Sequence, residues 1–140
     1  YTNVRVEPND LSFLEAINVA KKGKFDAFLA VGGGSTIDTA KAANLYSTYP
    51  NDLLTYVNAP IGKGNPVPGP LKPLIAIPTT AGTGSEVTPF ATIWDYENQQ
   101  KKSGGLQPPR PPYKSNITYK ISFRNRNCFQ YGACTSQNTI

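Results

Sequence analysis

The chain has 140 residues, enough for one domain or part of a larger one, and its 39% apolar content is ordinary for a protein that folds in water. No run approaches the roughly 20 consecutive apolar residues of a membrane helix, and the absence of histidine excludes a histidine base or histidine metal ligand within the chain. The net charge of +5 is unevenly placed: residues 1–97 carry 7 basic and 9 acidic side chains, residues 98–140 carry 7 basic and none acidic, which predicts a near-neutral body with a basic tail.

The N-terminus shows no charged-then-apolar signal pattern, and a first residue Tyr1 in a chain without methionine predicts a processed or partial protein. Val4 and Val6 mark the end of a strand, which Pro8, Asn9 and Asp10 stop while offering a helix N-cap. Leu11, Leu14, Ile17 and Ala20 then recur at helical spacing, with Phe13 and Ala16 widening the apolar face. Gly23 stands where a C-terminal glycine would release that helix. Residues 25–31 carry one charge, Asp26, and predict a strand covered on both faces. Ser35 and Asp38 read as a Ser-x-x-Asp variant of the capping box opening a second helix. Ala40, Ala42 and Ala43 give it thin sides, suited to lying close against a sheet or a ligand, and it finishes around residues 44–46, before Pro50.

Residues 50–73 hold six prolines and three glycines, an irregular excursion with one helical turn near residues 52–57. Strands follow at residues 74–77 and 91–94, with a turn at 95–98. From residue 99 no period is visible; Pro108-Pro109-Arg110-Pro111-Pro112 excludes regular structure, and an edge strand is expected at 117–123. The order of elements predicts an α/β layered sheet with ligand sites at the carboxyl ends of its strands.

Two glycine-rich turns, each after an apolar run, carry the functional signal: Gly32-Gly33-Gly34-Ser35 and Pro78-Thr79-Thr80-Ala81-Gly82-Thr83-Gly84-Ser85-Glu86. Bare backbone amides, small hydroxyls and a helix N-terminus together suit an anionic group such as a dinucleotide pyrophosphate. The alternative is a pair of tight turns without a ligand. The Gly-Lys-Ser/Thr of a Walker loop is absent, and neither turn completes Gly-x-Gly-x-x-Gly. Two turns that serve one diphosphate must face a common cleft. Asp38 and Lys41 share a helix face at i, i+3, Asp38 reading as a capping carboxylate with a role near a substrate as the alternative, and Glu86 as structural. No nucleophile has a partner at fixed spacing, and Cys128 and Cys134 make neither a disulfide framework nor a zinc site. Tyr113, Lys114, Tyr119, Lys120, Phe123, Arg124, Arg126 and Phe129 supply charge and stacking faces for nucleic acid; a small nucleotide- or nucleic-acid-binding module acting through this tail is the second reading, and an unstructured tail with incidental charge is favoured over it.

The motif Gly32-Gly33-Gly34-Ser35-x-x-Asp38-x-x-Lys41, followed by residues 78–86, resembles the iron-containing (group III) alcohol dehydrogenases, which share a fold with dehydroquinate synthase and glycerol dehydrogenase. Lys41-Ala42-Ala43-Asn44-Leu45-Tyr46, Ala59-Pro60-Ile61-Gly62-Lys63-Gly64 and Pro70-Leu71-Lys72-Pro73-Leu74 are similar to the mitochondrial hydroxyacid-oxoacid transhydrogenase branch of that family. The resemblance spans residues 4–102. It implies part of a Rossmann-like, dehydroquinate synthase-like nucleotide-binding domain over residues 1–102, with a basic, disordered non-family tail over 103–140. It also implies an NAD(H)-dependent oxidoreductase that exchanges hydride between 4-hydroxybutyrate and 2-oxoglutarate, located in mitochondria, with no membrane partner. The intact enzyme would take a dinucleotide, a small hydroxyacid or oxoacid and a divalent iron or zinc, and would form an oligomer.

By the same likeness Gly33, Gly34 and Ser35 hold the pyrophosphate, and Thr79, Thr80, Thr83 and Ser85 line the pyrophosphate, ribose and nicotinamide side. Asp38 joins this set through the motif, and Lys102, or alternatively Lys101, reaches the ribose. The family holds its metal with one aspartate and three histidines in a helical C-terminal domain that nothing here matches, so the chain implies a fragment inactive on its own. The tail after Lys102 has the look of a shifted reading frame or altered transcript end.

Overall fold

The computed structural model describes residues 1–95 and 100–105. The proline run, the expected edge strand at 117–123, the basic tail and both cysteines lie outside the described residues, as does most of the turn expected at 95–98. In chain order the elements are α1 (Asp10–Gly23), β1 (Phe28–Gly32), α2 (Gly34–Thr48), β2 (Leu74–Pro78), β3 (Phe90–Asp95) and β4 (Gln100–Gly105).

The first helix starts as its sequence dictates. Asn9 Oδ1 accepts from the Ser12 amide at 3.1 Å, and Ser12 Oγ accepts from the Asn9 amide at 2.9 Å, a reciprocal capping box. Its buried stripe is Phe13, Ala16, Ile17 and Ala20, whereas Leu11 is 74% exposed and Leu14 also stands in solvent. The apolar face is thus rotated from the expected one, because α1 packs chiefly on α2 and only the stripe spaced i, i+3, i+4, i+7 from Phe13 meets it. Gly23 ends the helix, but the left-handed residue is Lys24, at φ 48°. Gly23 serves a different need: a Cβ there would meet the Phe25 ring at 2.1 Å.

No strand forms at residues 4–6. The segment is drawn onto the helices instead, where Asn3 Nδ2 donates to Glu15 Oε1 and the Glu7 amide donates to Ser35 Oγ.

The sheet that positions the site is the parallel pair β1–β2, in register from Phe28↔Leu74 to Gly32↔Pro78. Ala30 and Ala76, partners in that register, turn toward α2 and lie under the fully buried Ile37. Leu29 and Val31, on the opposite face, are 64% and 55% exposed. The expectation of a strand covered on both faces is therefore corrected: α2 covers one face, and no described element covers the other.

Between α2 and β2 the chain makes its irregular excursion, pinned by side chains of α2 and of Tyr49 at its C-cap. Asn44, 2% exposed, donates from Nδ2 to the Lys72 carbonyl at 2.7 Å and accepts from the Lys72 amide at 3.2 Å, which fixes the approach to β2. Tyr49 Oη donates to the Pro70 carbonyl, and Tyr46 Oη to the Leu53 carbonyl. In place of the helical turn expected near 52–57 the chain makes a tight turn, closed by the Thr55 amide on the Asp52 carbonyl at 3.0 Å, and Val57 already stands in a β-bridge. The main core joins Phe13, Ile17, Leu45, Tyr46, Tyr56, Val67 and Ile93.

Burial, helped by the neighbouring Tyr56, pushes the Tyr46 phenol up to about 12 from an ordinary 10.0. Above pH 10 the unfolded chain sheds this proton and the folded chain keeps it, so Tyr46 erodes stability as pH rises from 10 toward 12. Urea denaturation of Tyr46→Phe across that range is expected to show a shallower loss of midpoint than the parent chain.

The last two strands, β3 and β4, pair antiparallel from Phe90↔Gly105 to Asp95↔Gln100, and Val57 bridges to Gly104. The sequence of β4, Gln100-Lys101-Lys102-Ser103-Gly104-Gly105, contains no apolar residue, so no period of two marked it. Its strand conformation comes from the ladder with β3.

Candidate functional site

Parallel pairing puts the carboxyl ends of β1 and β2 side by side, so both glycine turns leave the sheet at one end. The Thr79 amide donates to the Gly32 carbonyl at 3.0 Å, extending the ladder one step into the turns. Beyond that step the turns touch. A Cβ on Gly33 would stand 3.0 Å from Thr80 Oγ1. A Cβ on Gly34 would stand 3.0 Å from Thr83 Cγ2 and 3.1 Å from Ser85 Oγ. A side chain at either position would make the facing Thr80, Thr83 or Ser85 side chain give by a few tenths of an ångström.

The same point receives the N-terminus of α2. Its N-cap is Gly33, in extended conformation, and no side chain caps the helix. The expected Ser35–Asp38 capping box is corrected here. The helix begins at Gly34, so Asp38 is already a full turn inside and beyond reach of the first amides. Ser35 Oγ accepts from the Glu7 amide at 3.3 Å instead. Asp38 reaches sideways, where its Oδ2 accepts from the Thr92 amide of β3 at 3.0 Å.

A cleft of about 310 Å³ opens at this junction, lined by Gly34, Ser35, Asp38, Thr83 and Ser85 together with Glu7, Pro8, Thr92 and Trp94. Five of the nine residues singled out in the sequence thus share one cavity. Gly33 and Thr80 meet beside it, and Thr79 joins the ladder through its backbone. Lys102 is placed only by its backbone register, opposite Ile93. The lining from Glu7, Pro8, Thr92 and Trp94 had no motif to betray it; the one signal was Trp94, the single tryptophan of the chain, at the end of a predicted strand.

Charge in the site is buried and paired. Lys41 Nζ lies 3.5 Å from Asp38 Oδ1 and donates to the Phe90 carbonyl at 2.7 Å and to Thr88 Oγ1 at 3.3 Å. Burial holds the ammonium below its ordinary pKa, opposed by the negative charges of Asp38 and then Glu86. Asp38 Oδ1 has no hydrogen bond and only the ion pair to offset its burial.

A model described as iron-containing alcohol dehydrogenase matches residues 1–113. The chain belongs to the iron-containing alcohol dehydrogenase family. Within it, the mitochondrial hydroxyacid-oxoacid transhydrogenase of Bos taurus is 71% identical over 105 residues, and that of Homo sapiens 67% identical over the same length. Those matches cover 74% of this chain and 22% of each relative, so the chain spans about a fifth of their length. The crystal structure of sulfoacetaldehyde reductase from Bifidobacterium kashiwanohense in complex with NAD+ superposes with a TM-score of 0.69 at 26% identity, covering 87% of this chain and 30% of that one. The Rossmann-like α/β class follows from these neighbours and from the parallel β1–α2–β2 unit.

An iron-containing alcohol dehydrogenase implies a metal, and these residues do not fit one. The chain has no histidine, and among the described residues no three His, Cys, Asp or Glu side chains gather to hold an ion. No helix among the described residues is long and apolar enough to cross a membrane.

Proposed function

We propose that the cleft at the carboxyl ends of β1 and β2 binds the diphosphate of NAD(H), and that the chain supplies dinucleotide-binding elements of a mitochondrial oxidoreductase of the hydroxyacid-oxoacid transhydrogenase type. The observation that carries this is the contact of the two glycine turns over the uncapped start of α2. First-turn amides, the positive end of the α2 dipole and the exposed hydroxyls of Thr80 and Thr83 all favour a diphosphate there. The three-glycine backbone keeps side-chain atoms out of its way. The Asp38 carboxylate lies on the cleft wall with one oxygen on the Thr92 amide and the other in the ion pair with Lys41. Lys102 is assigned to the ribose by family likeness.

When bound, the nicotinamide ring supplies the hydride acceptor and donor. For the whole enzyme we assign hydride exchange between 4-hydroxybutyrate and 2-oxoglutarate. The metal that would polarise the alcohol oxygen has no ligand set among the described residues, so this chain is assigned binding without turnover.

Titration of the full chain with NADH, followed by nicotinamide fluorescence, tests this. Weak saturable binding, displaced by ADP-ribose because it carries the same diphosphate, is expected. Incubation with 4-hydroxybutyrate and NAD+ is expected to yield no NADH. A chain that binds neither NADH nor ADP-ribose would sink the proposal.

A further inference from the structure

Lys41 is 5% exposed, and nothing in the binding of a diphosphate described above uses its charge. A buried ammonium is costly unless its donors are met. Here two are met by hydrogen bonds, to the Phe90 carbonyl and Thr88 Oγ1, and the charge is offset by the ion pair with Asp38. Two of these belong to the chain that follows the second glycine turn. Thr88 Oγ1 lies 3.5 Å from the Ser85 carbonyl, the Val87 amide donates to the Gly84 carbonyl at 3.0 Å, and Ser85 lines the cleft. A continuous run of contacts therefore leads from α2 through Lys41 and Thr88 to the wall of the site.

The two glycines near the tip of that turn face open space. Gly82 and Gly84 adopt φ of +110° and +65°, and no atom lies within 4 Å of where a Cβ would stand on either. The turn is held at its start by the Thr79 amide on the Gly32 carbonyl, and on its C-terminal side by Lys41 through Thr88 and Phe90 and then by Asp38 through the Thr92 amide.

We propose that Lys41 is a positioning residue, which through Thr88 and Phe90 holds the second glycine turn over the start of α2 at the spacing a diphosphate requires. This rests on the assignment of the cleft to a dinucleotide. Lys41→Met, which keeps the apolar stem and removes the bonds, and Thr88→Val, at an exposed position that leaves the Lys41–Phe90 bond intact, separate the possibilities.

Both variants are measured in the full chain, well below the unfolding midpoint, for NADH dissociation constant and for amide hydrogen exchange at Ser85 and Val87 without ligand. Lys41→Met is expected to weaken NADH about tenfold or more, as displacement of a supporting group does, and Thr88→Val to weaken it by a smaller factor. Exchange at both amides is expected to speed up in each. Unchanged NADH affinity and unchanged exchange, with only a lower unfolding midpoint, would overturn the proposal and leave Lys41 as a structural ion pair. If the parent chain binds no NADH, the dinucleotide assignment fails by itself, and the exchange rates alone decide whether Lys41 grips the turn. If Lys41→Met does not fold, Thr88→Val decides.

Discussion

Gly34→Val is expected to remove NADH binding while leaving the fold in place. The Cβ alone would stand 3.0 Å from Thr83 Cγ2 and 3.1 Å from Ser85 Oγ, and the two methyls of valine extend further into the cleft. The Thr83 and Ser85 side chains must then give way, which displaces the hydroxyls that face the amides of α2. Gly34 is the first residue of α2, a half-buried position where valine costs the helix less than about 1 kcal/mol. The dissociation constant is therefore expected to rise about a hundredfold, equivalent to roughly 2.7 kcal/mol, with the far-ultraviolet circular dichroism spectrum and the urea midpoint close to those of the parent. Parental affinity in this variant would place any bound dinucleotide elsewhere.

Ile37→Ala is expected to cost the most stability of any single truncation considered. Ile37 is 0% exposed and fills the space between α2 and the β1–β2 sheet, against Ala30, Ala76, Ala40 and Leu74. Three of those four neighbours are alanines, which have no side chain able to move into the void. A cavity that does not collapse lies toward the upper end of the roughly 2–5 kcal/mol seen for such truncations, set against a total of about 5–15 kcal/mol for an ordinary domain. Equilibrium urea unfolding is expected to show the midpoint shifted with the slope unchanged. Leu29→Ala, at a position 64% exposed one residue from Ala30, is the control and is expected to shift it little.

Much of this fold was written in local patterns. The N-cap offered at Asn9, the apolar spacing of α1 and the short runs ending at Gly32 and Pro78 each announced an element, because caps, turns and periodicity are properties of neighbours in sequence. What failed depended on partners distant along the chain. Leu29 and Val31 are apolar yet exposed, since composition tells that a strand seeks cover but not whether cover arrives. The strand β4 is polar throughout and exists through β3. The start of α2 was misplaced because Ser35 is a good capping residue, whereas the glycine before Gly34 already has the extended backbone of a cap. At the site, the glycines and hydroxyls were legible as a motif. The grip of Asp38 on Thr92 and of Lys41 on Thr88 and Phe90 joins residues about fifty apart, and only the folded chain brings them together.

The open side of the β1–β2 sheet governs how copies of the chain behave toward each other at high concentration. Leu29 and Val31 form an oily strip along a strand that, among the described residues, has β2 on one flank and no ladder on the other. Such a ribbon is adhesive. Because apolar attraction strengthens on warming, any clustering through this strip is expected to grow with temperature and recede on chilling. One lysine in place of Val31 is enough to make the strip repel its own image.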